Sequence, residues 1–279
     1  MGERSGKILF WKMSGSGNDF ILIDNRSGIV SIDGIGPLVR KVCARGLSVG
    51  ADGLILIGPS QKADFAWRYY NADGGEAEMC GNGSRCAARF AYLTGIAPSP
   101  SMRFETAAGI IEAEVHEERA RVKLTEPAGL RLGLKIRVEG KEFEGHFLNT
   151  GVPHLVIPVD SVEGLDVVEL GRAARYHPQF SPKGTNVNFV AVQDPKAVRI
   201  RTYERGVEGE TLACGTGAVA AALVLGALDR TASPVSMQTR GGILLNVDFA
   251  WDGQRFSNVH LEGDARVVFV GEMWAEAWE

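Results

Sequence analysis

A chain of 279 residues, 45% hydrophobic and 23% charged, has enough apolar material for one large or two medium domains, each with its own core. Its 30 basic residues are interspersed among 34 acidic ones, leaving a formal charge of -4. No basic run could track a phosphate backbone, so nucleic acid is not an expected partner.

In chain order, short apolar or alternating runs bounded by Gly, Pro and Asp predict strands at ILFWKM from Ile8, DFILID ending at Asp24, DGLILIG from Asp52 and FAWRYY from Phe65. The same pattern recurs in IIEAEVHEERARVKL from Ile110, HLVIPVD from His154, NVNFVAVQ from Asn186, AVRIRTY from Ala197, ILLNVDF from Ile243 and ARVVFVGEMW from Ala265. Helical patterns are fewer: about 35–46, about 82–95, 166–176 and about 216–229. The class is mixed α+β. Pro127 and two glycines interrupt the strand pattern between Leu124 and Gly133, which marks that stretch as the passage between domains. The start MGERSGKILFWKM lacks an apolar signal core, and no apolar run approaches the roughly 18 residues of a membrane span, so no membrane partner is expected.

Displacing the chain so that Cys80 falls on Cys214 exposes an internal repeat. Tyr69 then aligns with Tyr203, Gly75 with Gly209, Glu76 with Glu210, Gly81 with Gly215 and Gly83 with Gly217. At nearly the same offset GADGLILI meets GTNVNFVAV, pairing Asp52 with Asn186, and GSGNDFILID meets GVPHLVIPVD, pairing Asn18 with His154. Three matches in one order indicate two related, strand-rich halves.

Each half places a cysteine before Gly-x-Gly and an alanine-rich helix. A cysteine there sits among first-turn N–H groups that have no intrahelical partner, at the positive end of the helix dipole. That setting favours thiolate over thiol and offers backbone donors to an anion. A carboxylate held between two such turns would expose its α-carbon to a sulfur on each side, an arrangement suited to inverting that carbon by proton removal and delivery. Cys43 and Cys86 have no mate in the repeat and read as inert core residues. The four cysteines form no C-x-x-C pair or zinc pattern, which suggests reduced thiols in a cytoplasmic compartment and no metal.

KMSGSGNDF, NADGGEAEMCGNGSRC and RTYERGVEGETLACGTGA together resemble diaminopimelate epimerase, and the order of segments follows that family through nearly the whole chain. The resemblance implies epimerisation of LL-2,6-diaminoheptanedioate to the meso form, for lysine and peptidoglycan precursors, without pyridoxal phosphate or other cofactor. It implies two pseudo-symmetric domains, each a curled sheet around a central helix, with the active site in the cleft between them. The boundaries expected on that basis are 1–124 and 125–265, with the strand 266–279 returning to the first domain. Cys80 and Cys214 would be the acid/base pair. Gly81, Asn82, Gly215 and Thr216 would hold the reacting carboxylate. Asn18, Asn71, Asn186, Glu204 and Arg205 would grip the distal end, Arg205 on its carboxylate and Glu204 on its ammonium. His154, by its repeat pairing with Asn18, would be placed near the cleft in a supporting role. The small-molecule substrate would be the partner, and the resemblance also implies a homodimer. Two positions depart from the family pattern: Val152, where Asn is frequent, and Ser14, where His commonly precedes the Gly-rich motif.

Overall fold

The computed structural model describes residues 6–279. The chain divides into two compact units, Met1–Val122 with Glu262–Glu279, and Lys123–Leu261.

The first unit opens with a hairpin of β1 (Ile8–Gly15) and β2 (Asn18–Asp24), in which Gly15 lies opposite Asn18. The two turn residues, Ser16 and Gly17, both have positive φ (51° and 94°), as a two-residue I′ turn requires. A crossover through α1 (Gly36–Val42) brings β3 (Gly53–Gly58) parallel to β2, and β4 (Phe65–Asn71) runs antiparallel to β3. The short β5 (Glu76–Ala77) pairs with β4 and leads into α2 (Gly81–Leu93). After α2, β6 (Ser101–Thr106) joins β4 in parallel, followed by antiparallel β7 (Gly109–His116) and β8 (Arg119–Lys123).

The apolar runs of β2 and β3 follow from burial on both faces. Ile21, Ile23, Leu54 and Leu56 pack in one cluster with Val39 and Val42 of α1. Phe20, Leu22, Ile55 and Ile57 alternate with them, point the other way and are also buried. That second face receives α2, which packs against β1, β2, β3 and β7. Strands distant in the sheet thus reach one helix, so the sheet curls around it. Each large apolar side chain fully buried there contributes roughly 1.5–3 kcal/mol.

The second unit repeats this order. β9 (Ala128–Val138) and β10 (Lys141–Asn149) pair, and β11 (Pro153–Pro158) runs antiparallel to β10. The helix α3 (Val167–Arg175) starts at Asp166, whose carboxylate accepts the Glu169 N–H at 2.9 Å. β12 (Asn186–Asp194) is parallel to β11, β13 (Ala197–Glu204) antiparallel to β12, and the short β14 (Gly209–Thr211) leads into α4 (Gly215–Ala227). β15 (Val235–Gln238) joins β13 in parallel and β16 (Leu244–Trp251) turns back on β15. Gly217 through Gly226 are all buried, because α4 is ringed by β10, β11, β12, β15 and β16. β17 (Phe256–Asp264) carries the chain back to the first unit, where β18 (Arg266–Met273) pairs antiparallel with β1. The fold is thus a two-domain α+β duplication.

The boundary between the units, Val122/Lys123, falls beside the stretch Leu124–Gly133 expected to be a passage, and from Ala128 that stretch is strand β9. Gly129 and Gly133, both with φ 70°, fall where the β9–β10 register slips. The glycines mark bulges inside a strand rather than a linker. Among the described residues no helix is long and apolar enough to cross a membrane.

Candidate active site

In the first unit Cys80 is the N-cap of α2, with extended backbone (φ -147°, ψ 114°) and its sulfur accepting the Gly83 N–H at 3.4 Å. The chain can turn so tightly because α2 begins Gly-Asn-Gly: a side chain at Gly83 would press on Ile55 and Trp67 at 3.2 Å. Burial raises the Cys80 thiol above the ordinary cysteine range. The Gly83 and Asn82 N–H groups, the Arg85 charge and Tyr69 oppose that rise. The Tyr69 hydroxyl donates to Asn71 Oδ1 at 2.8 Å. Asn82 Nδ2 donates to Asn18 Oδ1 at 2.7 Å, and Asn18 Nδ2 donates to Asp52 at 3.0 Å. Asn18, Asn71, Cys80, Gly81 and Asn82 therefore form one cluster at the mouth of α2.

In the second unit Cys214 is the N-cap of α4 with nearly the same backbone (φ -128°, ψ 110°). Its sulfur has no cap hydrogen bond and instead lies 3.6 Å from Thr216 Oγ1. Burial pushes this thiol up to about 12, and the nearby Glu204 carboxylate pushes in the same direction. Burial also raises Glu204 itself above the usual carboxylate range. Asn186 Oδ1 accepts the Arg205 backbone N–H at 2.8 Å, and its Nδ2 donates to the Pro153 carbonyl at 3.0 Å. Glu204 and Arg205 form no ion pair with each other. The Arg205 guanidinium makes no hydrogen bond or ion pair among the described residues, so it is available to an incoming carboxylate.

His154 is fully buried on β11, opposite Asn186 of β12. Its Nδ1 meets Asn188 Nδ2 at 3.1 Å, so Nδ1 accepts and the ring proton belongs on Nε2. Nε2 has no partner among the described residues. Burial, reinforced by the charge of Arg205, pulls this imidazole down to about 3, so it is neutral. His154, Asn186, Glu204, Arg205, Cys214, Gly215 and Thr216 make the second cluster.

Both sulfurs are thus less acidic than their helix-end positions alone predict. The dipole and first-turn donors act as expected, but desolvation of a buried charge outweighs them. Sequence reasoning also passed over Arg85 and Asn188. The signal for Arg85 is an arginine one turn into a helix that carries only one other charge, Arg89, among mostly small and apolar residues. For Asn188 it is the alternation Asn186-x-Asn188, which puts two amides on one buried strand face.

A family model for diaminopimelate epimerase matches residues 10–128 and 146–268, taking in both clusters. The chain belongs to the diaminopimelate epimerase family. It is similar to the enzyme of that name from Aquifex aeolicus, at 49% identity over 97% of this chain and 99% of the relative. A second relative of that name, from Hydrogenobaculum sp., is 50% identical over 95% of this chain and 98% of its own length. Among solved structures, a phenazine biosynthesis protein of the PhzF family from Bacillus anthracis superposes with a TM-score of 0.70 at 16% identity, covering 96% of this chain and 99% of that one. That likeness is one of fold. Of the positions departing from the diaminopimelate epimerase pattern, Val152 lies in the turn between β10 and β11, where its carbonyl accepts the Thr150 N–H at 3.2 Å. Ser14 lies on β1 opposite Asp19.

Proposed function

We propose that this chain epimerises LL-2,6-diaminoheptanedioate to the meso form by a two-base mechanism in which Cys80 and Cys214 act on opposite faces of one α-carbon. The enzyme is an isomerase that needs no pyridoxal phosphate. The observation that carries the proposal is the duplicated turn: in each half a cysteine with extended backbone N-caps a 13-residue helix.

In the forward reaction one cysteine, as thiolate, takes the α-proton while the other, as thiol, delivers a proton to the opposite face. The reacting carboxylate lies against the N–H groups of Gly81-Asn82 and Gly215-Thr216. As the α-carbon loses its proton, negative charge grows on that carboxylate, and each helix-end donor set stabilises it by a few kcal/mol on the scale of oxyanion-hole groups. Asn18, Asn71, Asn186, Glu204 and Arg205 hold the distal amino-acid end. The unpaired Arg205 takes the carboxylate and Glu204 the ammonium, so one centre is read while the other is inverted. Neutral His154 supports the second cluster from beneath.

The test is incubation of the purified protein with LL-diaminopimelate in D2O without added pyridoxal phosphate or metal. Deuterium at the α-carbon accompanying the meso isomer is expected, and a spectrum that stays unchanged overturns the reading. The same reading places the enzyme in the cytoplasm as a homodimer supplying lysine and peptidoglycan synthesis. Light scattering at working concentration gives the mass of two chains if the dimer exists.

A further inference from the structure

Among the described residues Arg85 is the largest fully buried side chain, and it carries a charge. Its guanidinium donates to Ser16 Oγ at 2.7 Å and Asn82 Oδ1 at 2.8 Å, with longer contacts to the carbonyls of Gly81 (3.4 Å) and Asp264 (3.5 Å). Every one of these acceptors is neutral. The Asp264 carboxylate is reached only through Ser16, whose hydroxyl donates to it at 2.8 Å. A buried cation without a carboxylate in direct contact is costly to keep. The fold of the turn does not require it: at the matching position α4 has Val219 and still forms a 13-residue helix from the same cap.

What Arg85 does is visible along the hydrogen-bond chain that leaves it. Arginine has only donors, so Asn82 must turn its Oδ1 toward Arg85 and its Nδ2 toward Asn18. Asn18 then accepts with Oδ1 and donates with Nδ2 to Asp52, which as a carboxylate only accepts. Asp52 is itself held by the Arg45 guanidinium at 2.9 Å and the Asp19 N–H at 3.1 Å. Cation and anion at the two ends demand the same polarity from both amides. Flipping either one would set donor against donor and acceptor against acceptor. One N–H of each amide remains uncommitted.

We propose that Arg85 and Asp52 are positioning residues for the Cys80 half of the active site, locking the amides of Asn82 and Asn18 in one orientation so that their spare donors are aimed before substrate arrives. This deepens the reading above, since it takes Asn18, Asn82 and Cys80 as substrate-facing. Preset donors spare the enzyme the reorganisation that freely rotating amides would need. Arg85 also lies behind the Cys80 turn. The ionisable groups facing that sulfur are Arg85 and Cys86 from α2 and Tyr69 from β4, and Arg85 is the cation among them.

The experiment compares Arg85→Gln, Arg85→Lys and Asp52→Asn in the full chain by two readouts. The first is the pH dependence of iodoacetamide alkylation at Cys80 and at Cys214 in the same sample, followed by peptide mass spectrometry, so that Cys214 serves as internal standard. The second is kcat and KM for LL-diaminopimelate. Arg85→Gln is expected to slow Cys80 alkylation about tenfold at fixed pH, leave Cys214 unmoved and lower kcat/KM at least about thirtyfold. Arg85→Lys keeps the charge and restores Cys80 alkylation, but not kcat/KM, because one ammonium cannot reproduce the planar fork. Asp52→Asn raises KM about tenfold and leaves Cys80 alkylation unchanged. The proposal is overturned if folded Arg85→Gln matches the wild type within twofold in both readouts, or if both cysteines shift together. It is equally overturned if Asp52→Asn leaves KM unchanged. Should Arg85→Gln fail to fold, the other two variants decide. Should the wild type not turn over diaminopimelate, the proposed function falls, and the alkylation arm still judges Arg85.

Discussion

The two cysteine turns share a backbone and differ in their charges. Both N-cap a 13-residue helix from an extended residue and follow a short strand paired to the strand before it, β4 or β13. Behind Cys80 stands the buried cation Arg85, and its sulfur accepts an N–H. Before Cys214 stands the anion Glu204, and its sulfur makes no cap hydrogen bond, with the Thr216 hydroxyl 3.6 Å away. Duplication preserved the scaffold that presents a thiol and diverged in the electrostatics that set its proton affinity. On the proposed two-base scheme that divergence is useful, because at the start of a turnover one sulfur must be without its proton while the other retains it.

The largest expected effect ignores the difference between the halves. Cys80→Ala and Cys214→Ala should each lower epimerisation by at least about 10³-fold, the scale of a lost general acid or base. Each variant is to be followed by α-deuteration and by meso-isomer formation together. Substantial meso product from either one contradicts the two-base scheme and leaves the second turn as scaffold alone.

A smaller effect separates the halves by acid sensitivity. His154 of the second unit takes a proton at about pH 3 when folded, while an unfolded chain takes it near 6.5. Between those values the unfolded state binds more protons. The stabilisation is therefore full above pH 6.5 and is lost as pH falls toward 3, by a few kcal/mol at roughly 1.4 kcal/mol per pH unit. Its repeat mate in the first unit, Asn18, does not titrate. Urea unfolding from pH 7 to 4 should show a steeper acid decline in wild type than in His154→Gln. Parallel curves would mean that His154 is not the group responsible.

Steric differences between the turns come next. A Cβ at Gly217 would lie 2.4 Å from Asn188 Oδ1, and Asn188 is fixed by His154, Leu155 and Thr202. At Gly83 the nearest atoms are side-chain carbons of Ile55 and Trp67 at 3.2 Å, which can yield a few tenths of an ångström. Gly217→Ala should cost about 2–3 kcal/mol and Gly83→Ala about 1 kcal/mol, measured as denaturation midpoints. Equal losses would show that the Asn188 knot moves more easily than its hydrogen bonds imply.

The duplication, the four helices and the two cysteine turns were legible in the sequence because each leaves a local trace. Burial of β2 and β3 on both faces gives unbroken FILI and LILI runs, and a helix cap gives Cys-Gly-x-Gly. β9, with exposed residues over most of its length and two positive-φ glycines, has no such trace. Arg85 was missed for a related reason: a charged residue in a helix ordinarily marks the solvent face, and only tertiary packing reveals that this one is buried. The acidity expected from the helix ends was likewise overruled by burial, which no local pattern reports.

The smallest effect bears most directly on how the two thiols differ. Burial comes first among the causes that raise Cys214, and Glu204 adds to it. Glu204→Gln removes the anion while keeping most of its volume, so the Cys214 thiol should ionise more readily. Its iodoacetamide alkylation at fixed alkaline pH should rise roughly three- to tenfold, with Cys80 unchanged. The same variant should raise KM for LL-diaminopimelate, because the proposed ammonium partner is gone. Faster Cys214 alkylation with an unaltered KM would assign Glu204 to tuning the sulfur and not to binding. A raised KM with alkylation unaltered would assign it to binding alone, and the electrostatic contrast between the two turns would then rest on Arg85.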